Sequence, residues 1–178
     1  CYHLVILPTK EMNKKTLNTG VKLRFCEFPI FENSMLAGLK HLNRIDSVMA
    51  RSEWEEDEFF DGVMLDNSES IIDGTMTNLF FSKDNVLYTP IIMKSGINGI
   101  MRQVVIDNAK LFFKEVREIE IKRKTISTFD DMFVTNSVIK LLPVTHLSNK
   151  KFKITDATRE MINFFLKKSK RSKNLELV

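Results

Sequence analysis

Two clusters of turn-forming residues, Asp66-Asn67-Ser68 and Lys83-Asp84-Asn85, each lie between short apolar runs, which restricts the middle of this chain to hairpins of antiparallel strand. Upstream, Val21, Leu23 and Phe25 alternate with Lys22 and Arg24, the period of two expected of a half-buried strand. Strands are predicted at His3 to Leu7, Val21 to Phe28, Gly62 to Leu65, Thr77 to Ser82, Val86 to Thr89, Val116 to Ile121 and Met132 to Thr135. Three helical stretches interrupt them. One follows Lys40 and carries Leu42, Ile45, Val48 and Met49 on the side expected to pack against sheet. A second runs from Ile100 to about Phe113. The third runs from about Asp156 to Lys167, opens on Thr155 or Asp156 as N-cap, and offers Met161, Phe164 and Phe165 to the core. Strands alternating with a few helices predict a mixed α/β domain.

The chain's 178 residues fit one domain with a real core, and 43% hydrophobic content is ordinary for a globular protein. The net charge of +4 gathers in Lys167-Lys168-Ser169-Lys170-Arg171-Ser172-Lys173, leaving a nearly balanced body. That run, with no aromatic-rich basic face beside it, reads as a solvated, flexible tail over residues 167–178, and no nucleic-acid partner is expected. Cys1 and Cys26 form no disulfide framework, and no paired Cys/His spacing predicts a metal site. No run of roughly eighteen apolar residues and no signal peptide is present, so a soluble, cytoplasmic protein without a membrane partner is expected. Because the chain opens on Cys1 and Tyr2 to Leu7 already reads as strand, it is expected to start in mid-protein.

Three motifs carry chemistry. In Leu36-Ala37-Gly38-Leu39-Lys40-His41-Leu42-Asn43-Arg44 a small-residue turn leads into Lys40, whose amine can be held for covalent work rather than solvation. Ile72-Asp73-Gly74-Thr75-Met76-Thr77-Asn78-Leu79-Phe80 brings a carboxylate into an apolar setting. Ser95-Gly96-Ile97-Asn98-Gly99-Ile100-Met101-Arg102-Gln103 reads as a glycine turn feeding a helix whose first N–H groups can cradle an anion. An amine, an acid and an anion cradle are what pyridoxal phosphate needs. Each also has a plainer reading: a solvated lysine, a turn-shaping aspartate, an ordinary glycine loop. His41, Trp54 and His146 read as packing residues.

The wording LAGLKHLNR, DGTMTNLFF followed by LYTP, and GINGIMRQ, in that order, resembles the 4-amino-4-deoxychorismate lyases among the class IV aminotransferase-like enzymes of fold type IV. The resemblance runs from Cys1 to Phe133-Val134-Thr135-Asn136-Ser137. It implies the larger, C-terminal domain of that fold over residues 1–166, a mixed, largely antiparallel sheet or pseudobarrel with flanking helices, and a smaller N-terminal domain not represented here. It implies Lys40 as Schiff-base lysine and general base, and Asp73 beside the pyridinium nitrogen. It also implies that Gly99, Ile100, Met101 and Ser137 hold the phosphate, and that Asn43 and Arg44 lie near the substrate. The family presents Glu where this chain has Asp73, one methylene shorter. Branched-chain aminotransferases of the class place a tyrosine near Asn43-Arg44, which favours the lyase. The implied reaction converts 4-amino-4-deoxychorismate to 4-aminobenzoate and pyruvate, on the way to folate, in a homodimer. This chain without its N-terminal domain is expected to show low activity. The alternatives are a class IV branched-chain or D-amino acid aminotransferase, or a non-catalytic remnant of the fold.

Overall fold

The computed structural model describes residues 14–55 and 58–175, so the strand expected at His3 to Leu7 lies outside the described residues. The strands are β1 (Val21–Phe25), β2 (Asp61–Leu65), β3 (Ser70–Gly74), β4 (Asn78–Lys83), β5 (Val86–Pro90), β6 (Glu115–Ile119), β7 (Ile121–Lys122), β8 (Asp131–Asn136), β9 (Lys140–Leu147) and β10 (Lys150–Lys151). Four α-helices accompany them: α1 (Lys14–Thr19), α2 (Ile45–Arg51), α3 (Ile100–Asn108) and α4 (Asp156–Leu175). They build one mixed sheet in the order β6-β5-β4-β8-β9-β1-β2-β3-β7, with β10 paired to β9. Most pairs are antiparallel; β1 runs parallel to β2 and β9, and β5 parallel to β6.

Both predicted hairpins form. Asp84 and Asn85 take φ of 50° and 62° between β4 and β5, the paired positive φ of a two-residue turn matched to strand twist. Between β2 and β3, Asp66 Oδ1 accepts the amides of Ser68 and Ser70, each at 2.8 Å.

Alternation along the strands sorts side chains into cores on opposite faces. Val63, Ile71, Leu79, Phe81, Met132, Val134, Leu142 and Val144 share one core that spans both halves of the sheet, so the sheet curls around it. Their neighbours Phe80, Phe133 and Leu141 face outward beneath α3 and α4, where Phe80 and Phe133 stack at 5.0 Å. Met64 and Ile72 face outward beneath Trp54 and Ala50. Burial on both faces explains why β3, with Ser70 and Asp73, and β9, with Pro143, escape a period-two reading.

α4 begins as expected. Thr155 donates its amide (2.8 Å) and hydroxyl (2.6 Å) to Asp131, and Met161 and Phe165 are buried with Phe164 packed alongside. It continues to Leu175, beyond the expected end at Lys167. α3 stops at Asn108 and passes into a single 3-10 turn, Ala109–Leu111.

The helix after Lys40 corrects its prediction. It starts only at Ile45, and the side expected to pack is outside: Leu42 is 101% exposed, Val48 60%, Ile45 52% and Met49 44%. α2 instead turns Asp46, Ser47 and Ala50 inward. In this short helix the small residue Ala50 is what fits beneath the large Trp54 and Met64 side chains.

Candidate functional site

Four segments meet beside the ends of β3, β4 and β8: the stretch before α2, the turn from β3 to β4, the loop capping α3, and the turn from β8 to β9. They line a cleft of about 400 Å³. Lys40, Arg44, Asp73, Gly99, Ile100, Met101 and Ser137 all border it, although they are spread over nearly a hundred positions of sequence. Asn43 does not; it borders an adjoining smaller cavity with His41 and Arg44.

Lys40 is exposed at the cleft, in an irregular segment rather than at a helix start, and Leu39 beside it is also exposed. A bridge of Gly38 to Ile97 ties this segment to the α3 loop, with Gly38 donating to the Gly96 carbonyl at 2.9 Å and Asn98 donating to that of Gly38 at 3.1 Å. At Gly38 and Gly96, φ of 84° and 87° demands glycine.

Asp73 lies within β3, opposite Met64, and not in a turn. It is 2% exposed. Its Oδ2 accepts the Ile97 amide at 3.0 Å, whereas Oδ1 is buried with no partner. Burial pushes its carboxyl up to about 7, against the pull of the Ile97 N–H and the positive Arg44. A buried, half-satisfied acid is costly unless a donor or cation arrives.

The glycine turn leads into α3 as expected. Gly99 caps α3 in extended conformation without any side-chain cap, leaving the first helical amides free of intrahelical partners. A Cβ at Gly99 would collide with Asn78 Oδ1, and Asn78 in turn donates to the Ile97 carbonyl at 2.7 Å. Ser137 sits exposed at the rim, in a turn shaped by Asn136, whose Oδ1 accepts the amides of Val138 and Ile139 at 2.9 Å.

Sequence reasoning missed four contributors. Arg102, quoted within a motif but given no role, is buried and reaches Asn98 (3.1 Å), the Pro90 carbonyl (2.9 Å) and Glu118 (2.7 Å), anchoring α3 behind the cradle. Thr75 and Thr77 were passed over in the turn that walls the cleft. Asp61, the buried acid they bind, lies fourteen and sixteen residues earlier. The adjacent hydroxyls of Gly74-Thr75-Met76-Thr77 were the signal available; nothing local pointed to their partner.

An amine at the cleft, a bordering acid with one unsatisfied oxygen and a helix N-terminus fit the three ends of pyridoxal phosphate: aldehyde, ring nitrogen and phosphate. The fold and this donor set define a class of vitamin B6 enzyme. The chain belongs to the amino-transferase class IV family, whose model matches residues 4–147, and the cofactor of that family is pyridoxal phosphate. It is 34% identical over 135 residues to an aminodeoxychorismate lyase of Vibrio harveyi, across 76% of this chain and 50% of that protein. It is 35% identical over 121 residues to a probable branched-chain-amino-acid aminotransferase of Rickettsia bellii, across 64% and 42%. The crystal structure of 4-amino-4-deoxychorismate lyase from Pseudomonas aeruginosa superposes with a TM-score of 0.83 at 29% identity, over 88% of this chain and 58% of that one. The chain spans about half the length of the curated relatives it matches. Among the described residues, no helix is long and apolar enough to cross a membrane.

Proposed function

We propose that the protein to which this chain belongs is a pyridoxal phosphate-dependent lyase that converts 4-amino-4-deoxychorismate to 4-aminobenzoate and pyruvate, a step toward folate. The observation that carries this is that Lys40, Asp73 with its unpaired oxygen, and the first residues of α3, Ile100 and Met101, border one cleft. The likeness to lyases in sequence and structure supports the particular reaction.

When bound, the cofactor supplies an electron sink for the substrate carbon that loses its proton. Lys40 would hold the aldehyde end through its amine, and its Nζ, when free, would take the proton from the substrate ring carbon. Asp73 would keep a proton on the pyridine nitrogen. The amides of Ile100 and Met101, with Ser137 at the rim, hold the phosphate. Arg44 enters the cleft from the other side, bonded to Ser47 and to the Thr75 carbonyl at 3.4 Å. It has no carboxylate partner among the described ion pairs. Arg44 is therefore the residue we assign to a substrate carboxylate, with Asn43 behind it.

In this reading residues 1–166 form the cofactor-holding domain of a cytoplasmic homodimer. The exposed apolar side of α2 beside the cleft supports burial against a second copy or a further part of the protein. A branched-chain aminotransferase is the second reading, favoured by the Rickettsia relative. The test uses the full-length protein loaded with pyridoxal phosphate. Borohydride reduction and peptide mapping should place the label on Lys40, and 4-aminobenzoate should accumulate with 4-amino-4-deoxychorismate. Rapid amino transfer to 2-oxoglutarate without 4-aminobenzoate would select the aminotransferase.

A further inference from the structure

Asp61 opens β2 with no exposed surface, and no cation lies within ion-pair distance of it among the described residues. A carboxyl so placed is expensive, and the fold surrounds it with hydrogen-bond donors. Its Oδ1 accepts the Gly62 amide (2.8 Å), the Thr75 amide (3.1 Å) and the Thr75 hydroxyl (2.6 Å); its Oδ2 accepts the Thr77 hydroxyl (2.6 Å). Three of these come from the single turn that leaves Asp73 and enters β4. That turn closes on itself through Gly74 N–H to the Thr77 carbonyl at 2.6 Å. Any Cβ at Gly74 would collide with both the Asp61 and Thr77 oxygens, so the carboxylate has no slack.

The front of the same turn, Gly74 to Asn78, is a wall of the cleft, and its Thr75 carbonyl receives Arg44. Asp61 itself borders neither the cleft nor the smaller cavity beside it. We propose that Asp61 is a positioning residue: from behind, it fixes the Thr75-Met76-Thr77 turn, and through the Thr75 carbonyl the Arg44 guanidinium, in the place where substrate is met. This rests on the lyase reading above. The Thr75 amide is shared with the Gly62 carbonyl at 3.0 Å, so the turn is held both by β2 backbone and by the Asp61 side chain.

The experiment measures steady-state kinetics and cofactor titration on full-length, pyridoxal phosphate-loaded protein for wild type, Asp61→Asn, Asp61→Ala and the nearly isosteric Thr77→Val. The lyase reading is judged first, on wild type alone: absence of 4-aminobenzoate there removes the reading, and Asp61 is then followed through KM for whichever amine substrate is turned over. Thr77→Val keeps volume and loses one donor to Asp61, so it tests the idea even where Asp61→Ala does not fold. The expected result is a KM raised about tenfold in Thr77→Val and further in Asp61→Ala, with cofactor affinity within twofold of wild type. Asp61→Asn, which keeps Oδ1 and can reverse the Thr77 bond, should restore most of the loss. A lowered melting temperature with KM and kcat unchanged in Thr77→Val and Asp61→Asn would overturn the proposal and leave Asp61 a purely structural acid.

Discussion

Asp73 and Ile97 are joined by a 3.0 Å hydrogen bond from the Ile97 amide to Asp73 Oδ2. The acid assigned to the ring nitrogen is thereby tied to the loop assigned to the phosphate. Ile97 also receives Asn78 and the Gly99 amide on its carbonyl, so one residue, through both of its backbone groups, ties the two ends of the site together.

The half-satisfied Asp73 makes stability depend on pH. Its folded carboxyl is raised to about 7, above the unfolded value near 4. Between those values the folded state binds more protons than the unfolded state, so stability contributed by the protonated acid is complete below about pH 4 and is lost as pH rises through 7. The difference between wild type and Asp73→Asn, measured by urea unfolding of cofactor-free protein, should swing by at most about 4 kcal/mol over that range. Saturating pyridoxal phosphate should flatten it. A pH-independent difference would show that Asp73 titrates normally.

Lys40 is exposed, so its loss should cost chemistry and not stability. Lys40→Ala in the full-length loaded enzyme should lower kcat by about 10³-fold or more while shifting unfolding by less than about 0.5 kcal/mol. A Lys40→Ala enzyme that keeps near wild-type turnover would remove Lys40 from the mechanism.

Gly99→Ala places a methyl group against Asn78 and should push that side chain off the Ile97 carbonyl. Destabilisation of about 1–3 kcal/mol is expected, together with weaker binding of pyridoxal phosphate than of phosphate-free pyridoxal would predict. Thermal unfolding and the two titrations check it.

Arg102→Met keeps a long side chain but strands the Pro90 carbonyl and the Asn98 amide oxygen, and should cost about 2–3 kcal/mol. Glu118→Gln should cost less than about 1 kcal/mol, because Glu118 is 46% exposed and water screens that pair. Equal effects would mean that the ion pair, rather than the carbonyl contacts, anchors α3.

On α2 the outward apolar residues and the inward small one should respond in opposite ways. Val48→Ser should change the stability of the isolated chain by less than about 0.5 kcal/mol. Ala50→Leu should cost about 1–3 kcal/mol by crowding Trp54 and Met64. Denaturant midpoints of the two variants settle which face is buried.

The hairpins around Asp66 and Asp84, the α4 cap at Thr155, and the Gly96 and Gly99 turn were legible in the sequence because each is fixed by residues close to one another in the chain. Turn chemistry and capping need no partner elsewhere. The strand holding Asp73 and the one holding Pro143 were not legible. Burial on both faces erases alternation, and ladder bonds to β2, β8 and β1 outweigh the local preferences of Asp, Gly and Pro. Local periodicity also put the wrong side of α2 inward, since a pattern shows that a face is apolar without showing what covers it. By itself the sequence determined which chemical groups were available: an amine at Lys40, an acid at Asp73, amides at the head of α3. Only the tertiary structure decided that they share one cleft, that Asp73 keeps an oxygen unpaired, and that Asp61 stands behind the wall. Those facts depend on distances between segments far apart in sequence, which are set by how the sheet curls around its core.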